Sequence, residues 1–113
     1  MSSVSDRVAS LADIRTLLID MDGVIYFEDA ILPHAREFLA FLRSAAIRFA
    51  FVTNGTGRWP QEHRVYLAAR GVDVGDAPIY TAGLAAADYL TRFPGAKVYV
   101  IGEEGLRQQL VEA

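Results

Sequence analysis

The 113-residue sequence has no cysteine, one lysine, one tryptophan and no long apolar run. Without cysteine there is no disulfide, no thiolate metal site and no cysteine nucleophile, and a reducing, cytoplasmic setting is expected. No stretch approaches the roughly 18 consecutive apolar residues of a membrane span. The opening MSSVSDRVASLADI also lacks an apolar segment of secretory length. Charge of one sign is scarce as well: 11 basic against 14 acidic residues leave a net charge of −3, with no like-charge block. Neither nucleic acid nor a membrane surface is therefore expected as a partner. What is present, 52% hydrophobic and 22% charged residues, is the balance of a soluble globular domain with a small core.

Along the chain, residues 1–14 read as a loose arm, because Asp6, Arg7 and Asp13 interrupt their apolar positions. Thr16 to Ile19 is a continuous apolar run, the pattern of a strand buried on both faces. Ala35, Phe38, Leu39, Leu42 and Ala46 recur at helical spacing and predict a helix over Pro33 to Ala46, with Pro33 in its first turn. RFAFV, Arg48 to Val52, predicts a second strand, so the three elements form a strand, helix, strand crossover. Pro60 and Gly71 bracket a helix through QEHRVYLAAR. Gly71 to Pro78 then reads as a loop. Ile79 and Tyr80 predict a short strand, and Thr81 is a candidate cap for a helix over Ala82 to Arg92. KVYVI, Lys97 to Ile101, predicts a further strand, and Glu103 to Glu112 a last helix. Such alternation argues for an α/β domain with a mostly parallel sheet.

Two carboxylates end the first strand, in LLIDMDGVIYFED. In open parallel sheets the working site lies beyond the carboxyl ends of the strands. Asp20 and Asp22 stand at that end of the first strand, and Thr53 and Asn54 at that end of the second. Close carboxylates repel and need a cation or a shared proton, and Mg²⁺, a hard ion that accepts one or two carboxylates beside water and phosphate oxygens, suits them. One aspartate can then attack phosphorus while the other moves protons. The Thr53 hydroxyl and the N–H groups around Asn54 and Gly55 can hold phosphoryl oxygens. Taken alone, a DxDG turn can equally be an ordinary polar loop. Its pairing with TNG across one crossover is what favours a phosphate and metal site.

With those motifs in place, LLIDMDGVIY followed by FVTNGTGR resembles the haloacid dehalogenase (HAD) superfamily of phosphohydrolases. GVDVGDAPIYTAGLAAADYL and KVYVIGEEGLRQQL resemble its subgroup of 4-nitrophenyl, phosphoglycolate, pyridoxal and NagD-type nucleotide phosphatases. The resemblance implies a Rossmann-like three-layer α/β/α core, with its first part over residues 15–93 and the start of a C2-type cap over 94–113. It implies Asp20 as nucleophile and Mg²⁺ ligand, and Asp22 as general acid and base that also binds the metal through its backbone carbonyl. Thr53, Asn54 and Gly55 would contact the phosphoryl group, and Val24 to Leu32 would form a flap over the cleft. A small phosphorylated metabolite would be the substrate, and self-association of a longer parent protein is compatible with it. TNGT stands where relatives commonly have TNNS. The third-motif lysine and fourth-motif acidic residues of the family have no match here, since Lys97 precedes a predicted strand in the cap region. An amino-terminal fragment with weak or no turnover of its own is therefore expected. The alternative is a non-catalytic phosphate-binding or interaction module.

The remaining polar and aromatic residues carry less. His34 and His63 are isolated at helix starts and read as surface or partly packed side chains. Tyr26, Trp59 and Arg58 are secondary candidates for the substrate entrance, and Glu103 and Glu104 read as a helix amino-terminus favoured by its dipole.

Overall fold

The computed structural model describes residues 11–112; of the expected arm, residues 1–10 lie outside the described residues. After a single 3₁₀ turn, Leu11–Asp13, come strand β1 (Thr16–Asp20), the short strands β2 (Tyr26–Phe27) and β3 (Ala30–Ile31), and helix α1 (Ala35–Ser44). They are followed by β4 (Arg48–Thr53), α2 (Pro60–Ala69), β5 (Ile79–Thr81), α3 (Ala82–Leu90) and α4 (Glu104–Val111). β1, β4 and β5 form one parallel sheet in that order, and β2 and β3 a small antiparallel pair in the expected flap. The α/β class with a mostly parallel sheet is thus observed.

Because the order β1, β4, β5 advances in one direction, right-handed crossovers put α1 and α2 on the same face. The core forms there: Ile19, Phe51 and Ile79 from the sheet meet Leu39 and Leu42 of α1 and Leu67 of α2. The expectation that β1 is buried on both faces is corrected. It is an edge strand covered on one side, and Leu18 on the other is 69% exposed.

Helix ends follow local chemistry. Gly71, at φ +80°, closes α2: its N–H donates to Ala68 O at 3.0 Å and the Val72 N–H to Leu67 O at 2.9 Å, the paired bonds of a Schellman stop. Thr81 caps α3, its hydroxyl accepting from the Leu84 N–H at 3.0 Å. α1 starts later than predicted, since the chain passes through a left-handed His34 (φ 68°) before the helix begins, and Pro33 therefore precedes the first turn.

The strand expected over Lys97 to Ile101 does not form. A ladder needs a second backbone, none of the described residues pairs with this segment, and Tyr99 and Ile101 are 91% and 89% exposed. α4 instead packs against α3. No helix among the described residues is long and apolar enough to cross a membrane.

Candidate active site

β1 ends in a tight wrap around one carbonyl. Met21 O accepts from the N–H groups of Val24, Ile25 and Tyr26 at 3.2, 2.8 and 3.3 Å, while the Gly23 N–H donates to Tyr26 O at 2.7 Å. Gly23 sits at φ +82°, a left-handed conformation that costs a residue with a Cβ about 1–2 kcal/mol. The wrap leaves Asp20 and Asp22 exposed at the strand tip. One oxygen of Asp20, Oδ1, accepts from the Met21 N–H at 2.8 Å, which orients the carboxylate and leaves its other oxygen uncommitted to that bond.

Strand register brings the second motif beside the first. Asp20 lies opposite Val52 across the β1–β4 ladder, and Thr53 opposite Thr81 across β4–β5. Beyond those ends opens a pocket of about 350 Å³ to which Asp22, Thr53, Asn54 and Gly55 all contribute. Asp20 is not among its lining residues. The Thr53 hydroxyl accepts from the Gly55 N–H at 3.1 Å, so that amide, expected to face a phosphoryl group, is engaged within its own turn. A hollow of about 590 Å³ between α3, residues 94–100 and α4 is larger, but its lining includes none of these residues.

Side chains that the motifs do not include complete the pocket: Tyr26, Arg58, His63 and Glu103. Arg58 lies 3.9 Å from the Tyr66 ring centroid and Arg70 3.5 Å from it, close enough for cation–π attraction. Tyr66 also donates to Glu28 O at 3.0 Å, and Arg70 pairs with Asp29 at 3.6 Å, so α2 holds the tip of the flap. Burial raises the Tyr26 hydroxyl above its usual pKa, opposed by the Arg58 guanidinium and reinforced by Asp22 and Tyr66. It therefore stays protonated at neutral pH.

His63 corrects the expectation of a surface or partly packed residue. It is 3% exposed, and neither ring nitrogen has a hydrogen-bond partner among the described residues. Burial, and then the Arg58 charge, lower its pKa, against a weaker opposing contribution from the nearby Arg58 backbone, which does not reach hydrogen-bonding geometry with either nitrogen; the ring is neutral at pH 7. Helical spacing gave the signal, because His63 stands four residues before buried Leu67 on α2. Glu103 had no local signal; long-range docking of α4 brings it to the pocket.

The donor set suits a hard cation in kind, with two carboxylates two residues apart. It falls short in number: the described residues contain no group of three or more His, Cys, Asp or Glu positioned to hold a metal.

A parallel α/β sheet with paired aspartates ending β1 and a threonine ending β4 is the arrangement of one hydrolase class. Residues 17–113 match the haloacid dehalogenase-like hydrolase family, and the chain belongs to it. Within that family the chain is 35% identical over 100 residues to ribonucleotide monophosphatase NagD of Escherichia coli, covering 88% of this chain and 40% of that protein. Its fold superposes with a TM-score of 0.79 on the 4-nitrophenylphosphatase of Thermotoga maritima, at 33% identity over 90% of this chain and 40% of that one. A glycerol phosphate phosphatase from Mycobacterium tuberculosis, crystallised with magnesium, gives a TM-score of 0.75 at 27% identity, over 99% of this chain and 32% of that one. The chain thus spans about 40% of the length of the curated relatives it matches.

Proposed function

We propose that this chain carries the nucleophile and phosphate-binding part of a Mg²⁺-dependent phosphomonoester hydrolase acting on a small phosphorylated metabolite in the cytoplasm. The observation that carries this is the shared pocket of Asp22, Thr53, Asn54 and Gly55 at the carboxyl ends of β1 and β4, with Asp20 beside it at the tip of β1. The uncommitted oxygen of Asp20 attacks phosphorus, the ester bond breaks, and the leaving alcohol oxygen takes a proton from Asp22. A water then gives a proton to Asp22 and attacks the aspartyl-phosphate, releasing inorganic phosphate and restoring Asp20. Thr53 and the backbone at Asn54 hold the phosphoryl oxygens throughout. Mg²⁺, held by the Asp20 carboxylate and the Asp22 backbone carbonyl, would neutralise charge between the carboxylates and the phosphate. The relatives support the reading, since NagD and the Thermotoga and Mycobacterium proteins are phosphatases, the last with magnesium bound.

The test is hydrolysis of 4-nitrophenyl phosphate by the polypeptide carrying this chain, with and without Mg²⁺, beside Asp20→Asn. Loss of a covalent nucleophile lowers kcat by roughly 1,000-fold or more, and activity that survives the substitution would eliminate the aspartyl-phosphate. A second reading, a phosphate-binding module without turnover, is favoured by one observation: no group of three metal-holding side chains exists among the described residues. Phosphate binding without hydrolysis in the same assay would select it.

A further inference from the structure

Gln109 is the one buried amide side chain among the described residues, 2% exposed on α4. Its Oε1 accepts from the Thr81 hydroxyl at 2.5 Å, and its Nε2 donates to the carbonyls of Thr56 at 3.0 Å and Gly105 at 3.1 Å. Both amide protons are thereby used, and the bond to Thr56 reaches 53 residues back to the turn that follows Thr53. Thr81 is itself bound twice, donating to Gln109 while accepting from the Leu84 N–H. The end of β5, the cap of α3, the turn 54–57 and α4 are therefore joined through one side chain.

Two glycines make the approach possible. A Cβ at Gly105 would stand 2.0 Å from Gly57 O, and one at Gly83 would stand 2.6 Å from Gln109 Nε2. Glu103 fills the space above Gly57, where a Cβ would meet its Oε2 at 2.1 Å. α4 rests directly on the backbone of the turn, with no side chain between them at Gly105.

We propose that Gln109 is a positioning residue that fixes the phosphate-binding turn from α4, so that displacing α4 releases the turn. The proposal deepens the phosphatase reading and rests on it for the word phosphate; the mechanical link is independent of it. The link is chemically selective, because an amide donates to two carbonyls and an ionised carboxylate donates to none. Buried beside the carbonyls of Thr56 and Gly105, a carboxylate would repel both.

The experiment is amide hydrogen exchange on the 113-residue chain for the wild type, Gln109→Met, Gln109→Glu and Gly105→Ala, with exposed Gln108→Met as control. Inorganic phosphate with Mg²⁺ is titrated in parallel into the polypeptide carrying this chain. Gln109→Met should speed exchange about tenfold, the scale of one lost hydrogen bond, at Gly55, whose N–H is bonded to the Thr53 hydroxyl, and at Leu84, whose N–H is bonded to the Thr81 hydroxyl that Gln109 holds, with Phe51 and Leu67 unchanged. Gln109→Glu should do at least as much at neutral pH and return toward the wild type as its carboxyl regains a proton, a profile that lost packing does not produce. Gly105→Ala, which keeps the amide but lifts α4, should loosen the same turn even if Gln109→Met fails to fold. Turn exchange equal to that of the wild type in Gln109→Glu and Gly105→Ala would overturn the link. If phosphate fails to perturb the wild-type turn, the phosphatase reading falls, while the exchange data still decide the role of Gln109.

Discussion

Replacing His63 with leucine should make the protein more stable, and increasingly so as the pH falls. The imidazole is buried with two nitrogens that no described group satisfies, and a buried polar group without a partner costs about 1–3 kcal/mol. Leucine is close to histidine in volume, so little cavity is created, and the expected gain at pH 7.5 is about 1–2 kcal/mol. The pH dependence adds to it. Burial holds the folded pKa below the ordinary value of 6.5, so below that value the unfolded chain binds a proton that the folded chain refuses. Stability supplied by the neutral ring is complete above the unfolded pKa and declines as the pH falls toward the folded one, by at most about 1.4 kcal/mol per pH unit. His63→Leu removes that decline, so its advantage should widen between pH 7 and pH 5.5. Urea unfolding followed by circular dichroism at both pH values measures the difference. Destabilisation by more than 1 kcal/mol with an equal pH slope in both proteins would show that the ring is satisfied, and the burial argument would be wrong.

Two further substitutions probe the scaffold. Ala46 ends α1 at φ 57°, where a Cβ is strained, so Ala46→Gly should stabilise by about 0.5–1 kcal/mol in urea unfolding despite glycine's larger unfolded-state entropy; destabilisation would contradict the left-handed stop. Leu67, fully buried between α2 and the sheet, should lose about 2–5 kcal/mol on truncation to alanine, and a loss under 1 kcal/mol would mean that α2 is not docked there.

The parts of the fold that were legible in the sequence are those whose signal is local. An apolar run ending in aspartate marked β1, while Gly71 gave the stop of α2 and the Thr81 hydroxyl the cap of α3, these two through bonds within a few residues. KVYVI misled because its composition is the same whether or not a partner strand exists, and pairing is a tertiary fact. Leu18 misled for the same reason, since an apolar run does not report whether both faces of a sheet are covered. At the candidate site, the placement of Asp20, Asp22 and Thr53 at the strand ends was legible because motif and strand end coincide. His63 was hidden by its isolation, and Glu103 and Gln109 by distance: both reach the turn 54–57 only once α4 has docked.

The placement of a phosphate site at the tips of β1 and β4 is tested most directly by titrating the isotope-labelled polypeptide carrying this chain with inorganic phosphate in the presence of Mg²⁺. Resonances of the Asp20 and Asp22 carboxyl carbons and of the Asn54 and Gly55 amides should shift together, saturate with one dissociation constant, and lose that response in Asp20→Asn. Phosphate-induced shifts located elsewhere, or none at those four residues at any phosphate concentration, would contradict it.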